Sequence, residues 1–129
     1  MSYSRIIPVE FCHCDPAGIV FYPRFAEMVN SMVENFFAQE VGYPFARIVA
    51  EGNGIPSVRF EIDFHKPARL GDRLTWTLSV EHVGASSARF RVVAEDRLEA
   101  RSTVVWIDRS FKPARWPDQI RSILEAHHA

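Results

Sequence analysis

The chain has 129 residues, enough for one compact core and too few for two. Its 47% hydrophobic and 24% charged residues are those of an ordinary globular protein and exclude a disordered or fibrous chain. A net charge of −1 offers no broad attraction for nucleic acid, although fifteen Lys and Arg residues leave room for a local basic patch.

The opening residues, Met1 to Phe11, carry Arg5 but no long apolar segment, so no export or transit signal is expected. No apolar run approaches the ~20 residues of a membrane helix. A soluble, cytoplasmic protein is the expectation. Residues 3–11 are predicted as a first strand, broken at Asp15-Pro16-Ala17-Gly18, where Pro16 lacks an N–H and Gly18 can take a left-handed turn. Cys12 and Cys14 on such an extended segment would sit about 6–7 Å apart, which suits a disulfide poorly. With His13 between them they suggest metal, yet no second ligand pair follows at a useful spacing, so buried or partly buried free thiols and no metal are expected.

From Pro23 to about Val41 the period is helical, with Phe25, Met28, Val29, Met32, Val33, Phe36 and Phe37 at spacings of three and four. Pro23 suits the first helical position, and Gly42 with Pro44 supplies the stop. Such a helix runs about 27 Å. After it the period changes to two. Val58, Phe60, Ile62 and Phe64 mark a half-buried strand, followed by Leu74 to Val80 and Ala88 to Ala94, with turns at Pro67, Gly71-Asp72 and Gly84. The last strand, about Glu99 to Asp108, holds the near-continuous apolar run Val104 to Ile107, as expected of a strand covered on both faces, by a partner subunit among other possibilities. A short helix after Pro113 and Pro117 turns Ile120, Ile123 and Leu124 inward. Strands grouped after one long helix define a single α+β domain over residues 1–129, with the helix on one face of an antiparallel sheet. One helix cannot cover all of that sheet, which leaves an edge or face for a partner chain.

The chemistry concentrates in Phe11 to Phe25. A carboxylate, Asp15, stands just ahead of the longest helix, whose first N–H groups and dipole favour negative charge. A carbonyl placed there would be polarised and its oxyanion stabilised, and a nearby carboxylate could attack it or activate water. The same residues have a plainer use: Asp before Pro commonly starts a turn, its side chain bonding its own backbone. His13, as a lone histidine between cysteines, has no evident partner.

The run Cys14-Asp15-Pro16-Ala17-Gly18-Ile19-Val20-Phe21-Tyr22-Pro23-Arg24-Phe25 resembles the signature of the 4-hydroxybenzoyl-CoA thioesterase family. More loosely, the resemblance takes in nearly the whole chain, including Lys66-Pro67-Ala68-Arg69-Leu70-Gly71-Asp72 between strands. It implies a hotdog fold, a long central helix wrapped by an antiparallel five-stranded sheet. It implies an acyl-CoA thioesterase that needs no metal or redox cofactor, with Asp15 as nucleophile or general base. The oxyanion donor it implies is the backbone N–H of Tyr22, seven residues beyond the aspartate, with Pro23 unable to compete. Gly18, Phe21, Phe25 and Phe60 are the expected substrate-binding residues, the phenylalanines and Tyr22 lining an aromatic pocket or simply packing in the core. A homo-oligomer, dimer or tetramer, follows from the same resemblance. Two departures stand out. Some relatives hold the CoA nucleotide with an arginine pair between the third and fourth strands, where this chain has Val83-Gly84-Ala85-Ser86-Ser87-Ala88, leaving Lys66, Arg69 or Arg89, or a carrier other than CoA. His13 stands where relatives often carry an acid. The competing activities are a hotdog enoyl-thioester dehydratase or hydratase, for which Glu27 is the only helical acid in reach and no helical His exists, and non-enzymatic binding of an acyl ligand.

Overall fold

A computed structural model describes residues 2–128. The long helix, α1 (Tyr22–Phe36), buries Phe25, Met28, Val29, Met32, Val33 and Phe36, the stripe that the spacing predicts. Each such side chain contributes roughly 1.5–3 kcal/mol by leaving water. The helical stretch does continue to Val41, but its last turn, Phe37–Val41, is a wider π turn. An extra residue in the turn lets the consecutive Phe36 and Phe37 both enter the core. Phe36 meets Tyr3 and Phe90, while Phe37 meets Phe45 and Trp116. Gly42, at φ 72°, closes the turn as expected. A second helix, α2 (Phe45–Ala50), follows Pro44 and buries Ile48. With six residues it is too short for a period to show in the sequence.

Five antiparallel strands follow the order β1-β3-β4-β5-β2, with β1 at Tyr3–Pro8, β2 at Ser57–Phe64, β3 at Arg73–Val83, β4 at Ser87–Ala94 and β5 at Leu98–Val105. The face toward α1 carries Leu74, Trp76, Leu78, Val80, Phe90, Val92 and Leu98, all buried. A third helix, α3 (Asp118–His127), adds Ile120 and Leu124 to the same core.

Two expectations need correction. The first strand ends at Pro8, and Phe11–His13 is a 3-10 turn, so Cys12 does not lie on extended backbone. The run Val104–Ile107 is not a strand awaiting cover from outside. β5 lies between β4 and β2 and alternates strictly in burial. Its continuation is packed from within this chain: Trp106 meets Tyr43 and Trp116, and Ile107 exchanges backbone hydrogen bonds with Gly54. The uncovered apolar surface is on β2 instead. This edge strand pairs only with β5 and leaves Val58 61% and Phe64 49% exposed, where half-burial was expected.

The outer face of the sheet holds a charge lattice. Arg91 and Arg101 lie directly opposite each other, an arrangement that repels by itself. Glu81 resolves it by pairing with Arg101 (3.0 Å) and Arg89 (3.2 Å), and Glu99 by pairing with Arg91 (3.1 Å) and Arg101 (2.9 Å). Burial alone would raise the Glu81 carboxyl, but hydrogen bonds and charge from Arg101 and Arg89 outweigh it and hold it below the ordinary value. The Arg91 hydrogen bond, with help from Arg101, does the same for Glu99 against partial burial. Depressed folded values contribute stability that is fully present above the unfolded glutamate value of about 4.3 and lost as pH falls through the folded values. Urea midpoints measured from pH 7 to pH 3 should therefore fall on the acid side, and the Glu81→Gln/Glu99→Gln double variant should lose less over that interval than the native chain does.

Candidate functional site

The segment ahead of α1 is a small closed loop. Reciprocal capping between Glu10 and His13 shapes the 3-10 turn, the Glu10 N–H donating to His13 Nδ1 at 2.9 Å. Cys14 and Val20 then face each other in an antiparallel bridge, with Asp15 N–H donating to the Ile19 carbonyl (2.9 Å) and Gly18 N–H to the Asp15 carbonyl (3.0 Å). Gly18 has φ 79°, the left-handed conformation that the sequence led us to expect. The Asp15 side chain accepts the Ala17 N–H through Oδ1 at 2.8 Å, the turn-starting contact of an Asp before Pro. No partner is found for Oδ2 among the described residues, and the residue is half-buried.

What holds this loop is distant in sequence. Val20 N–H donates to the Ala68 carbonyl (2.9 Å), Leu70 N–H donates to the Gly18 carbonyl (3.0 Å), and Ile19 bridges Arg69. Residues 68–70 act as a strap, fastened by the fully buried Ala68 and by Asp72, whose Oδ2 accepts the Arg69 N–H at 2.9 Å. The Lys66-to-Asp72 segment thus builds the site and does more than connect two strands.

The loop delivers the chain to α1 with no side-chain cap. Phe21 N–H donates back to the His13 carbonyl, and Arg24 N–H donates to the Phe21 carbonyl at 2.8 Å. Pro23, second in the helix where the sequence placed it first, has no N–H to offer. Tyr22 N–H is left as the first-turn donor without a partner among the described residues.

Five of the cavities formed by the described residues lie around this point. Asp15 lines two of them: one of about 310 Å³ with Cys12, Phe21 and Arg24, and one of about 410 Å³ with Phe11, Gly18 and Leu70. Tyr22 lines two others, a cavity of about 290 Å³ with Val20, Phe25, Phe64, His65, Lys66 and Pro67, and an open one of about 470 Å³ with Phe60, Ile62 and Phe64. The fifth, of about 220 Å³, lies between Ile7, His13, Arg24, Glu27 and Ser31. The expected single aromatic pocket is therefore divided: Phe21 lies on the Asp15 side, Phe25 and Phe60 border different cavities, and exposed Tyr22 stands between them. Phe64 joins them, its ring 6.0 Å from Phe25 and 6.2 Å from Tyr22. The alternation of the β2 sequence marks Phe64 as sharing a face with Phe60, a signal that could have found it.

Other candidates separate clearly. Both cysteines are free. Glu10, Cys12 and His13 bring their ligand atoms within 4.8 Å of one another, and since His13 Nδ1 accepts the Glu10 N–H, its Nε2 is the ring nitrogen such a cluster would use. Arg89 lies on the outer face of the sheet, paired with Glu81, as its phase between Ala88 and Phe90 already implies. Arg69 sits in the strap and Lys66 lines the Tyr22 cavity.

A long helix cradled by a five-stranded antiparallel sheet, its mouth closed by a strapped loop, is the hotdog fold. The crystal structure of a 1,4-dihydroxy-2-naphthoyl-CoA thioesterase from Synechocystis superposes with a TM-score of 0.86 at 23% identity, covering 96% of each chain. The sequence profile of the Thioesterase superfamily matches residues 26–100, and the chain belongs to that family. A 1,4-dihydroxy-2-naphthoyl-CoA hydrolase of Synechocystis is 34% identical over 90 residues, 69% of this chain and 62% of that protein. An acyl-acyl carrier protein thioesterase of Arabidopsis thaliana is 25% identical over 114 residues, 77% of this chain and 59% of that protein. This chain spans about three fifths of the length of each of these two relatives.

A Cβ added at Gly18 would meet nothing within 4 Å, so substitution there costs only the backbone conformation. Gly18→Ala should lower stability by about 1–2 kcal/mol and Gly18→Asn by less, since Asn tolerates the left-handed region better. Denaturation midpoints of the two variants test this, and equal losses would point to a packing role instead.

Proposed function

We propose that this protein hydrolyses an aromatic acyl-CoA to the free acid and CoA. The observation that carries the proposal is a half-buried carboxylate, one oxygen unengaged among the described residues, on the loop that leads seven residues later into an uncapped helix whose Tyr22 N–H has no partner among those residues. The thioester carbonyl accepts a hydrogen bond from Tyr22 N–H, and the helix dipole adds to its polarisation. Asp15 acts as nucleophile or general base: it attacks the carbonyl carbon, or takes a proton from the water that does. The carbon–sulfur bond then breaks and the thiolate of CoA leaves and is protonated; on the nucleophilic route water next cleaves the Asp15 acyl anhydride to release the acid, so either route consumes only water. The aromatic acyl group is supported by the rings of Phe25, Phe64, Phe60 and Tyr22 around the Tyr22 cavities, and by the substrate named for the Synechocystis hydrolase.

A second reading has one observation in its favour. His13 and Glu27, the pair that a hydratase or dehydratase would need, line one cavity. Glu27 is held there by Arg24 at 3.0 Å and His13 by its cap, which favours hydrolysis at Asp15. Release of free thiol from a panel of acyl-CoAs separates the two activities, and passive binding releases none.

Asp15→Asn keeps the turn and removes charge and basicity. Its kcat should fall by about 10²–10⁴-fold or more with KM little changed, whereas Cys12→Ala, Cys14→Ala and His13→Ala should each keep substantial activity. A variant within about threefold of the native rate would remove Asp15 from the mechanism.

We further propose a homo-oligomer, dimer or tetramer, closed at the unpaired edge of β2. Val58, Phe60 and Phe64 on an edge strand form the kind of surface that a monomer leaves uncovered at the risk of aggregation. Light scattering at micromolar concentration should give at least a dimer, and Val58→Lys should shift it toward monomer.

A further inference from the structure

We propose that Lys66, seconded by His65, reads a hydroxyl substituent on the ring of an aromatic acyl group. The inference rests on the thioesterase reading above and assigns a specificity-determining residue within it.

Placement comes first. His65 and Lys66 follow directly on β2, and both of their N–H groups donate to one acceptor, the Arg97 carbonyl, at 2.8 and 3.3 Å. Lys66 precedes Pro67, which restricts its backbone to extended conformations. The root of the lysine side chain is therefore fixed, although the residue is exposed. Both residues line the cavity of about 290 Å³ that also touches Tyr22. Under this proposal the acyl group of a thioester held at the Tyr22 N–H lies on the side of this cavity, because Tyr22 borders it.

The walls set the chemistry. Tyr22, Phe25, Phe64 and Pro67 present rings, with Phe25 and Phe64 6.0 Å apart and tilted by 40°, a setting suited to a planar aromatic guest. The lining residue that carries a full charge is Lys66, whose ammonium lies on the side of Asp96. An ammonium turned toward an apolar cavity has three donors and no acceptor, so it would favour a guest that brings an oxygen. Its present partner is weak: Asp96 Oδ2 lies 3.9 Å away, and the two side chains are 61% and 74% exposed. Little is lost when Lys66 turns to a guest.

A CoA phosphate is the other anion that Lys66 could hold. The phosphates are separated from the thioester by the whole pantetheine arm, whereas Lys66 shares a cavity with Tyr22, at the thioester itself. The acyl substituent is the better fit. The naphthoyl substrate named for the Synechocystis hydrolase is hydroxylated, in keeping with this class.

The test compares benzoyl-CoA with 2-, 3- and 4-hydroxybenzoyl-CoA. The native protein should favour at least one hydroxy isomer over benzoyl-CoA by about tenfold or more in kcat/KM, the scale of a hydrogen bond to a charged group. Lys66→Met should abolish that ratio through KM, and Lys66→Arg should retain it. A ratio near one in the native protein, or an unchanged ratio in Lys66→Met, overturns the inference. Equal losses on all four substrates assign Lys66 to the CoA phosphates and overturn it as well. Binding of the free acids, followed through the His65 ring resonances by NMR, decides the case if no thioester is cleaved. Tighter binding of a hydroxybenzoate than of benzoate, lost in Lys66→Met, then upholds the assignment while the hydrolytic reading falls. Equal binding of the two acids ends both.

Discussion

The burial of one face of α1 in the curve of the sheet fixes everything else in the molecule. Phe25, Met28, Val29, Met32, Val33 and Phe36 have no alternative cover, and removing them from water sets both the position of the helix and its rotation about its own axis. With the axis fixed, the N-terminus comes to rest beside residues 68–70, and the direction of the Tyr22 N–H is settled by packing some distance away. A site that requires a donor in one place is well served by a donor belonging to the longest rigid element.

The loop at the helix mouth shows how one contact serves two ends. The Asp15–Ala17 hydrogen bond is the ordinary closure of an Asp-Pro turn, yet it uses a single carboxylate oxygen and leaves the other without a partner among the described residues, in a residue that lines two cavities. Structural and chemical uses of Asp15 are therefore compatible. Turn formation positions the group, and the strap formed by Ala68 and Leu70 keeps the turn against the helix. On the opposite face of the sheet, the Arg–Glu lattice joins β3, β4 and β5 without entering the site, so its pH dependence belongs to stability.

Local periods were legible because they survive any tertiary context. Spacings of three and four from Phe25 to Phe37, and alternation in β3 and β4, are set by the geometry of helix and strand. Gly18 was legible for a similar reason, since a positive φ after Asp-Pro favours glycine. What stayed hidden depends on contacts across the fold. Nothing local in Val104 to Ile107 tells that Gly54 and Trp116 cover it, nor that β2 reaches beyond the cover of α1. The π turn was hidden because Phe36 and Phe37 as neighbours are compatible with either geometry, and only the shape of the core chooses. Of the site, Asp15 was singled out by a motif, but its strap lies some fifty residues downstream, and the divided aromatic pocket follows from Phe64, a strand residue that the motif does not include.

The strapped loop has a consequence for access. Hydrogen bonds tie it at Val20 and Gly18 to the strap, at Phe21 to the 3-10 turn, and at Asp15 to Ile19, so it cannot swing away without breaking several of them together. It is a fixed jamb and not a door. Beside the carboxylate the groups free to move are side chains, among them Phe11 and Leu70, 82% and 50% exposed, which border the larger Asp15 cavity. Rotamer changes of exposed side chains take picoseconds to nanoseconds, far faster than loop opening. Under the hydrolysis proposed above, an entrance of that kind would impose no slow gating step on substrate, and would leave the chemistry, or the departure of products, to set the pace.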